Sequence, residues 1–369
     1  MKVLFDSTIF DLQLFGGVSR YFAELIAISA RKKLFEPKFQ LFISNNEYAK
    51  KLKLTRIKSN LSTINIKGAK RFSWKLNSFL NSFYTNRHLR KGDFDIYHPT
   101  YYSKKSLAFT KKYKTVITVY DMIHELYPAL FSEAQTTIQL KAELMRSAAK
   151  IIAISENTKK DILTFYPEID EQKISVILLS SSMNEYKEAP VSVPFKKFIL
   201  FVGSREGYKN FIPMLKTITP FLKTNKDIGL ICCGGGKFTN SESEIISAEQ
   251  FDERIIQQNV SDEELKWLYL NSIALLFPSE YEGFGIPVIE TFDCGCPVIL
   301  PNLSSFTEIG GDAGLFYEKG EMEKINYYLE NLLSSPQFRD EVISKSKKQA
   351  SNFSWEKMAT QTAELYRSI

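Results

Sequence analysis

The strongest constraint on this chain is a rhythm: short apolar runs recur along it, each followed by a turn and an amphipathic stretch. KVLFDS at the N-terminus reads as a strand, TIFDLQLFGG as a loop, and VSRYFAELIAISARKK as a helix with one apolar face. KFQLFIS (38–44), DIYHPT (95–100), KTVITVYD (114–121), AKIIAIS (149–155) and KISVILL (173–179) read as further strands. Such alternation folds as parallel α/β units, because strands running the same way need a crossover and a helix supplies it. A polar, proline-bearing stretch, SSSMNEYKEAPVSVPFKK (180–197), then breaks the rhythm. It restarts with FILFVGS (198–204), IGLICCGGG (228–236) and IALLFPS (273–279), and closes with PVILPN, AGLFYE and an amphipathic tail. At 369 residues the chain also exceeds one ordinary core. The expectation is therefore two doubly wound domains, 1–185 and 186–352, facing each other across a cleft. The tail 353–369 is expected to fold back on the first domain.

Composition narrows the classes. A hydrophobic content of 44% with 24% charged residues is that of a globular protein rather than a disordered one. No run reaches the ~18 to 20 apolar residues of a membrane-spanning helix, and MKVLFDSTIF lacks the long apolar core of a signal peptide. Cys232, Cys233, Cys294 and Cys296 fit no zinc-binding spacing, so reduced thiols and a cytoplasmic location are expected. The net charge of +6 hides an asymmetry. Residues 1–120 carry 23 Lys and Arg against 7 Asp and Glu, while the remainder is acidic, 25 against 35. A basic first third points to an anionic partner: nucleic acid, an anionic bilayer or a phosphate-bearing substrate.

Three glycine-bearing turns carry the chemistry. Gly16 and Gly17 precede a helix, where exposed N–H groups suit a phosphate or carboxylate, or where they merely form a turn. A GxGxxG fingerprint is missing after the first strand. VGSREGYKN (202–210) puts Arg205 and Lys209 where strand gives way to helix, fitting cations on a pyrophosphate as well as two surface charges. SEYEGFGIPVIE (279–290) places Glu282 and Glu290 around Gly283 and Gly285, with Pro287 suited to a helix start. Both carboxylates can accept hydrogen bonds from sugar hydroxyls. Glu290 equally suits the positive end of a helix as a surface acid in its first turn.

These segments together resemble the retaining glycosyltransferases of family 4, which have the GT-B fold. The hallmark is glutamate, seven residues, glutamate, here Glu282 to Glu290 in PSEYEGFGIPVIETFDCGCPVI. GGVSRYFAELI, DIYHPTYY, VYDMIHELYP, VGSREGYKN, VSDEELKWLY and SSFTEIGGDAGLFYE are similar to family segments in the expected order. The resemblance implies roles: Arg205 and Lys209 on the donor diphosphate, Glu290 on the ribose, and Val260 against the base. Glu282, with the backbone of Gly283, Phe284, Gly285 and Ile286, would contact the transferred sugar and the phosphates. Gly16 and Gly17 would touch the phosphates, and His124 resembles the active-site histidine that contacts the donor sugar. The family places its diphosphate arginine directly before the lysine, where Tyr208 stands here. No metal and no cofactor are implied, the cations taking a metal's place.

On the acceptor side, Asp121 is a candidate, and His98 either lines that cleft or caps a strand. His88 receives no role. RFSWKLNSFLNSFYTNRHLRK (71–91) has Phe72, Leu76, Phe79, Leu80 and Phe83 at helical spacing among cations. It reads either as a helix packed on the first domain or as an interfacial helix resting on anionic lipid near the inner face of the membrane. No RNA-binding motif accompanies it, so no nucleic-acid partner is expected. The function expected is transfer of a sugar with retention from a nucleotide-diphosphate donor to a growing lipid-linked or surface polysaccharide such as O-antigen or capsule. GDP-mannose is favoured over UDP- or dTDP-sugars. A sugar-nucleotide epimerase and a non-catalytic transferase subunit are the rivals.

Overall fold

The structure, a computed structural model, describes residues 1–55 and 69–369, with side chains from residue 78 onward in the second stretch. It divides into two compact units, residues 1–179 with 354–369, and residues 180–353.

In the first unit, β1 (Lys2–Phe5) pairs in parallel with β2 (Glu36–Lys38) on one side and β3 (Ile96–His98) on the other. A second run of parallel strands orders β4 (Val116–Val119), β5 (Lys150–Ala153) and β6 (Ile174–Val176). The bridge between Tyr97 and Thr115 joins the two runs edge to edge. Helices cover this sheet with apolar faces: Leu144, Met145 and Ile162 pack on Ile117, Val119, Ile151 and Ala153. The KFQLFIS expectation fails in part, since pairing with β1 ends at Lys38 and beyond it Leu41 makes a single bridge to Thr55. Beyond it the N–H groups of Phe42 and Ile43 point to Asn81 Oδ1 (2.9 and 3.4 Å), so a side chain satisfies what a neighbouring strand would have.

Asn81 belongs to the helix Ala69–Lys91. That helix buries Asn81, Thr85 and Leu89, while Phe79 and Phe83 stand 69% and 62% exposed. The aromatic positions therefore do not form the packed stripe, and Phe72 and Leu76 lie outside the described side chains. The last helix, Trp355–Arg367, is amphipathic and buries Met358, Ala359, Thr362 and Tyr366. Lys32 bonds Glu356 at 2.6 Å and Arg367 donates to the Leu34 carbonyl, tying the last helix to the end of the helix Gly17–Lys32 and the residues after it.

The second unit is built on one parallel sheet of six strands. Its order is β12 (Leu315–Tyr317), β11 (Val298–Pro301), β10 (Leu275–Leu276), β7 (Lys197–Val202), β8 (Ile228–Cys233), β9 (Ile255–Gln258). The chain winds outward from β7 through β8 to β9, then returns to the other side of β7 with β10. Its winding reverses between β7 and β10, which opens a crevice at their carboxyl ends. Ile199, Phe201, Leu230, Cys232, Leu276 and Ile299 form a core with Met214, Leu215 and Ile218 of the helix Phe211–Thr224. Strand β9, from ERIIQQN, escaped the sequence reading because only one of its residues is buried and its polar content mimics a loop.

Candidate active site

The loops after β7 and β10 meet at that reversal. Glu280 N–H donates to the Tyr208 carbonyl at 2.8 Å, and Asn210 Nδ2 donates to Glu280 Oε1 at 3.2 Å. This brings Lys209 Nζ onto Glu282 Oε1, with the two side chains only 14% and 16% exposed. Burial pulls the Lys209 ammonium down, but the Glu282 charge and Tyr208 outweigh it, so its pKa lies above the ordinary lysine value. Lys209 is therefore a cation at neutral pH, flanked by the Tyr208 ring at 4.9 Å.

The glutamate loop is held by its backbone. Ser304 Oγ and Ser305 Oγ donate to the Glu282 carbonyl at 2.7 and 2.9 Å, and Ser305 Oγ also reaches the Phe284 carbonyl at 3.1 Å. Gly285 turns at φ 97°, where a Cβ would meet the Phe306 ring at 3.3 Å, so any side chain would be strained in its backbone and crowded by the ring. The helix then starts at Ile286, one residue before Pro287. Glu290 consequently falls past its first turn and is buried, 5% exposed, with Tyr269 Oη donating to Oε2 at 3.1 Å. It is no surface acid compensating a helix dipole. Gly283 and Phe284 are buried beside it, Ile286 is half-buried, and Val260 sits half-buried after β9.

Arg205 corrects the sequence reading. Its side chain is 2% exposed and bonded through Nε to Glu242 Oε1 at 2.9 Å. Nη1 donates to the Gly234 carbonyl (3.0 Å) and Nη2 to those of Gly236 and Lys237 (2.9 Å each). A guanidinium has five N–H donors, and protein acceptors occupy four of them. It is committed to the protein and does not reach out to a diphosphate. Glu242 was invisible to sequence reasoning as a partner, lying 37 positions away in the helix Asn240–Ala248. The one available signal was Thr239 three residues before it, which forms a capping box with it.

In the first unit, Gly16 caps the helix Gly17–Lys32. Ser19 N–H is taken by Gln13 Oε1 at 3.1 Å, whereas Gly17 and Val18 find no protein acceptor among the described residues. The helix N-terminus therefore stays open to an anion. His124 lies in the short helix Ile123–Leu126 after β4, half-buried, and its Nδ1 has no partner among the described residues. Burial lowers its pKa, opposed by Asp121 and aided by Lys141, so the ring is neutral at pH 7. Asp121 Oδ1 accepts from Ile123 N–H at 3.1 Å. The buried Lys141 pins this segment from beneath, donating to the Asp121 carbonyl (3.0 Å) and to Glu125 Oε2 (2.7 Å).

His98 is the second correction. It is fully buried, with Nδ1 on Tyr366 Oη at 2.5 Å and Nε2 on Thr118 Oγ1 at 3.0 Å. Burial pushes its pKa down to about 3, so it is a neutral core group joining β3 to the last helix, not part of an acceptor surface. No cluster of three His, Cys, Asp or Glu placed to hold a metal ion occurs among the described residues. Among them also, no helix is long and apolar enough to cross a membrane.

Lys209 and Glu282 lie on loops at the winding reversal of a parallel sheet, and Glu290 lies in the helix that follows; a cation with two carboxylates suits an anionic, hydroxyl-rich ligand. Residues 15–178 match the model of Glycosyltransferase Family 4 and residues 182–349 that of Glycosyl transferases group 1. The chain belongs to the family 4 glycosyltransferases. It is 26% identical over 295 residues to O-antigen chain mannosyltransferase B of Escherichia coli, covering 74% of each chain. It is 27% identical over 221 residues to the O-antigen chain mannosyltransferase RfbU of Salmonella typhimurium, covering 60% of this chain and 61% of that protein. Among solved structures, Anabaena Alr3699/HepE in complex with UDP and glucose superposes with a TM-score of 0.75 at 16% identity, over 100% of this chain and 99% of that one. Sucrose-phosphate synthase from Thermosynechococcus elongatus gives 0.71 at 17%, over 100% and 98%. The fold is GT-B, two Rossmann-like units.

Proposed function

We propose that this chain transfers mannose, with retention, from GDP-mannose to a growing lipid-linked polysaccharide of the O-antigen or capsule kind. The observation that carries the reading is the Lys209–Glu282 pair on the loops after β7 and β10. The mannosyltransferase relatives support the choice of sugar. Glu290 binds the ribose hydroxyls and Val260 lies against the base. Gly283, Phe284, Gly285 and Ile286 offer backbone to the sugar and phosphates, as Gly16 and Gly17 do at their helix end.

When donor enters, the Lys209 ammonium exchanges its carboxylate for the diphosphate, and Glu282 is released to hydroxyls of the sugar. The bond from the anomeric carbon to the β-phosphate oxygen breaks. The acceptor oxygen bonds to the same face of that carbon, and its proton passes to the departing phosphate oxygen. The charge that develops on the nucleoside diphosphate is offset by Lys209, fixed in place before the reaction begins. The ammonium supplies what a divalent metal would, so the reaction is proposed to run without one. His124, neutral and with an unpartnered Nδ1, donates to or accepts from a sugar hydroxyl, and Asp121 lies beside it for the acceptor.

The exposed Phe79 and Phe83 on a helix ending in His88, Arg90 and Lys91 support peripheral contact with the anionic inner face of the membrane. Flotation with anionic vesicles tests this contact: Phe79→Ser with Phe83→Ser should abolish it, and equal recovery of both proteins would end it. For the reaction, the purified protein is incubated with GDP-mannose, UDP-glucose or a dTDP-sugar and a lipid-linked oligosaccharide. Proton NMR then reads the new linkage. An α-mannoside from GDP-mannose is expected. An inverted linkage, or no product or hydrolysis with any donor, overturns the reading.

A further inference from the structure

The glycine loop after β8 carries a device that the reading above leaves unused. Gly234, Gly235 and Gly236 follow one another at φ 85°, 69° and 71°, all left-handed. Three such residues in a row are accessible only to glycine at low cost. The loop lies directly against the start of the Lys209 loop. Gly203 N–H donates to the Cys233 carbonyl at 2.9 Å, and a Cβ on Gly235 would stand 3.0 Å from the Gly203 carbonyl and 2.8 Å from Arg205 Nη1.

What orients the loop is Arg205. Its fork draws the carbonyls of Gly234, Gly236 and Lys237 inward, and Glu242 holds the fork through Nε. The guanidinium carbon lies over the Phe238 ring, 4.8 Å from its centroid, and over the Phe211 ring at 5.7 Å. The Arg205 charge is thereby neutralised and sealed. With the Gly234 and Gly236 carbonyls consumed, the three exposed glycines keep N–H groups that have no protein acceptor among the described residues. A row of backbone donors with no side chain in the way, beside Lys209's loop at the carboxyl ends of β7 and β8, suits a ligand rich in acceptor oxygens.

We propose that Arg205 is a positioning residue for the nucleotide donor. It shapes Gly234–Gly236 into a second wall of the donor site, whose N–H groups bind the nucleoside diphosphate. This rests on the donor assignment above. It also explains why an arginine near the diphosphate lysine is buried rather than presented. Lysine cannot replace it, because one ammonium cannot span acceptors on Glu242 and three separate carbonyls.

The test uses the full chain, titrating GDP and, separately, UDP into wild type, Arg205→Lys and Glu242→Gln at a temperature where each is folded by circular dichroism. Glu242→Gln keeps an oxygen for Nε, so it provides the measurement if Arg205→Lys does not fold. Hydrogen exchange of the segment 234–237 is followed with and without nucleotide. Wild type should show nucleotide-dependent protection of those amides. The variants should lose it and bind about tenfold more weakly, the equivalent of one to two hydrogen bonds. Wild-type affinity and protection in the folded variants would overturn the proposal, leaving Arg205 a stabilising residue alone. A wild type that binds neither nucleotide overturns the donor assignment itself and this inference with it.

Discussion

Arg205 and Lys209 stand four residues apart in one loop and have opposite fates. Both meet a glutamate, yet the Arg205–Glu242 side chains are 2% and 5% exposed and the Lys209–Glu282 side chains 14% and 16%. Arg205 gives four N–H groups to the protein, so an incoming ligand has little left to gain from it. Lys209 keeps its charge near solvent with a carboxylate that a ligand can displace. The first unit repeats the contrast with histidines. His98 has both ring nitrogens bonded in the core, while His124 is half-buried and its Nδ1 has no partner among the described residues. Groups saturated by the protein serve the fold, and the proposed chemistry falls mainly on less saturated ones.

Breaking the saturated pair should cost the most stability. Glu242→Ala leaves a buried guanidinium uncompensated and is expected to destabilise the second unit by about 3–5 kcal/mol. Urea unfolding followed by tryptophan fluorescence checks it, and a loss under about 1 kcal/mol would mean that the pair is not a structural element. Lys209→Ala should do the reverse. Its kcat/KM should fall about 10²–10³-fold while unfolding moves by less than about 2 kcal/mol. If the two variants exchanged these signatures, the contrast would collapse.

His98 sharpens the comparison through pH. Its folded pKa of about 3 lies below the unfolded value, which is about 6.5. The unfolded chain therefore binds the proton first. The stability contributed is full above about pH 6.5 and drains as pH falls towards the folded value. Between pH 7 and pH 5 the loss should be about 2 kcal/mol. His98→Gln should lower stability at pH 7 yet flatten that slope, as denaturant midpoints across pH would show. The smallest effect expected is Tyr269→Phe, which removes one hydrogen bond to Glu290. About 1 kcal/mol of stability should go, with a rise in donor KM of only a few-fold.

The fold was largely legible because apolar runs at strand length, broken by glycine turns, leave few alternatives to parallel α/β units. The Lys209 and Glu282 loops were legible for the same reason: chemistry at strand ends is local in sequence. What escaped was long-range. His98 meets Tyr366 across 268 positions, and Arg205 meets Glu242 across 37. No periodicity reports such distant partners, so a buried, satisfied cation looks in sequence like an active one. Phe79 and Phe83 left two readings open, since helical spacing shows that a face exists but not which face is buried. There Asn81 and Thr85, two polar residues, took the inside.

If Lys209 and Glu282 form the donor site, removing the ammonium must weaken nucleotide binding. Isothermal titration of GDP, GDP-mannose and UDP into wild type and into Lys209→Ala tests this most directly. Wild type should bind one of them, and Lys209→Ala, folded to the same melting temperature within a few degrees, should bind it at least about 100-fold more weakly. Equal affinity in the two proteins would contradict the assignment, whatever family the chain belongs to.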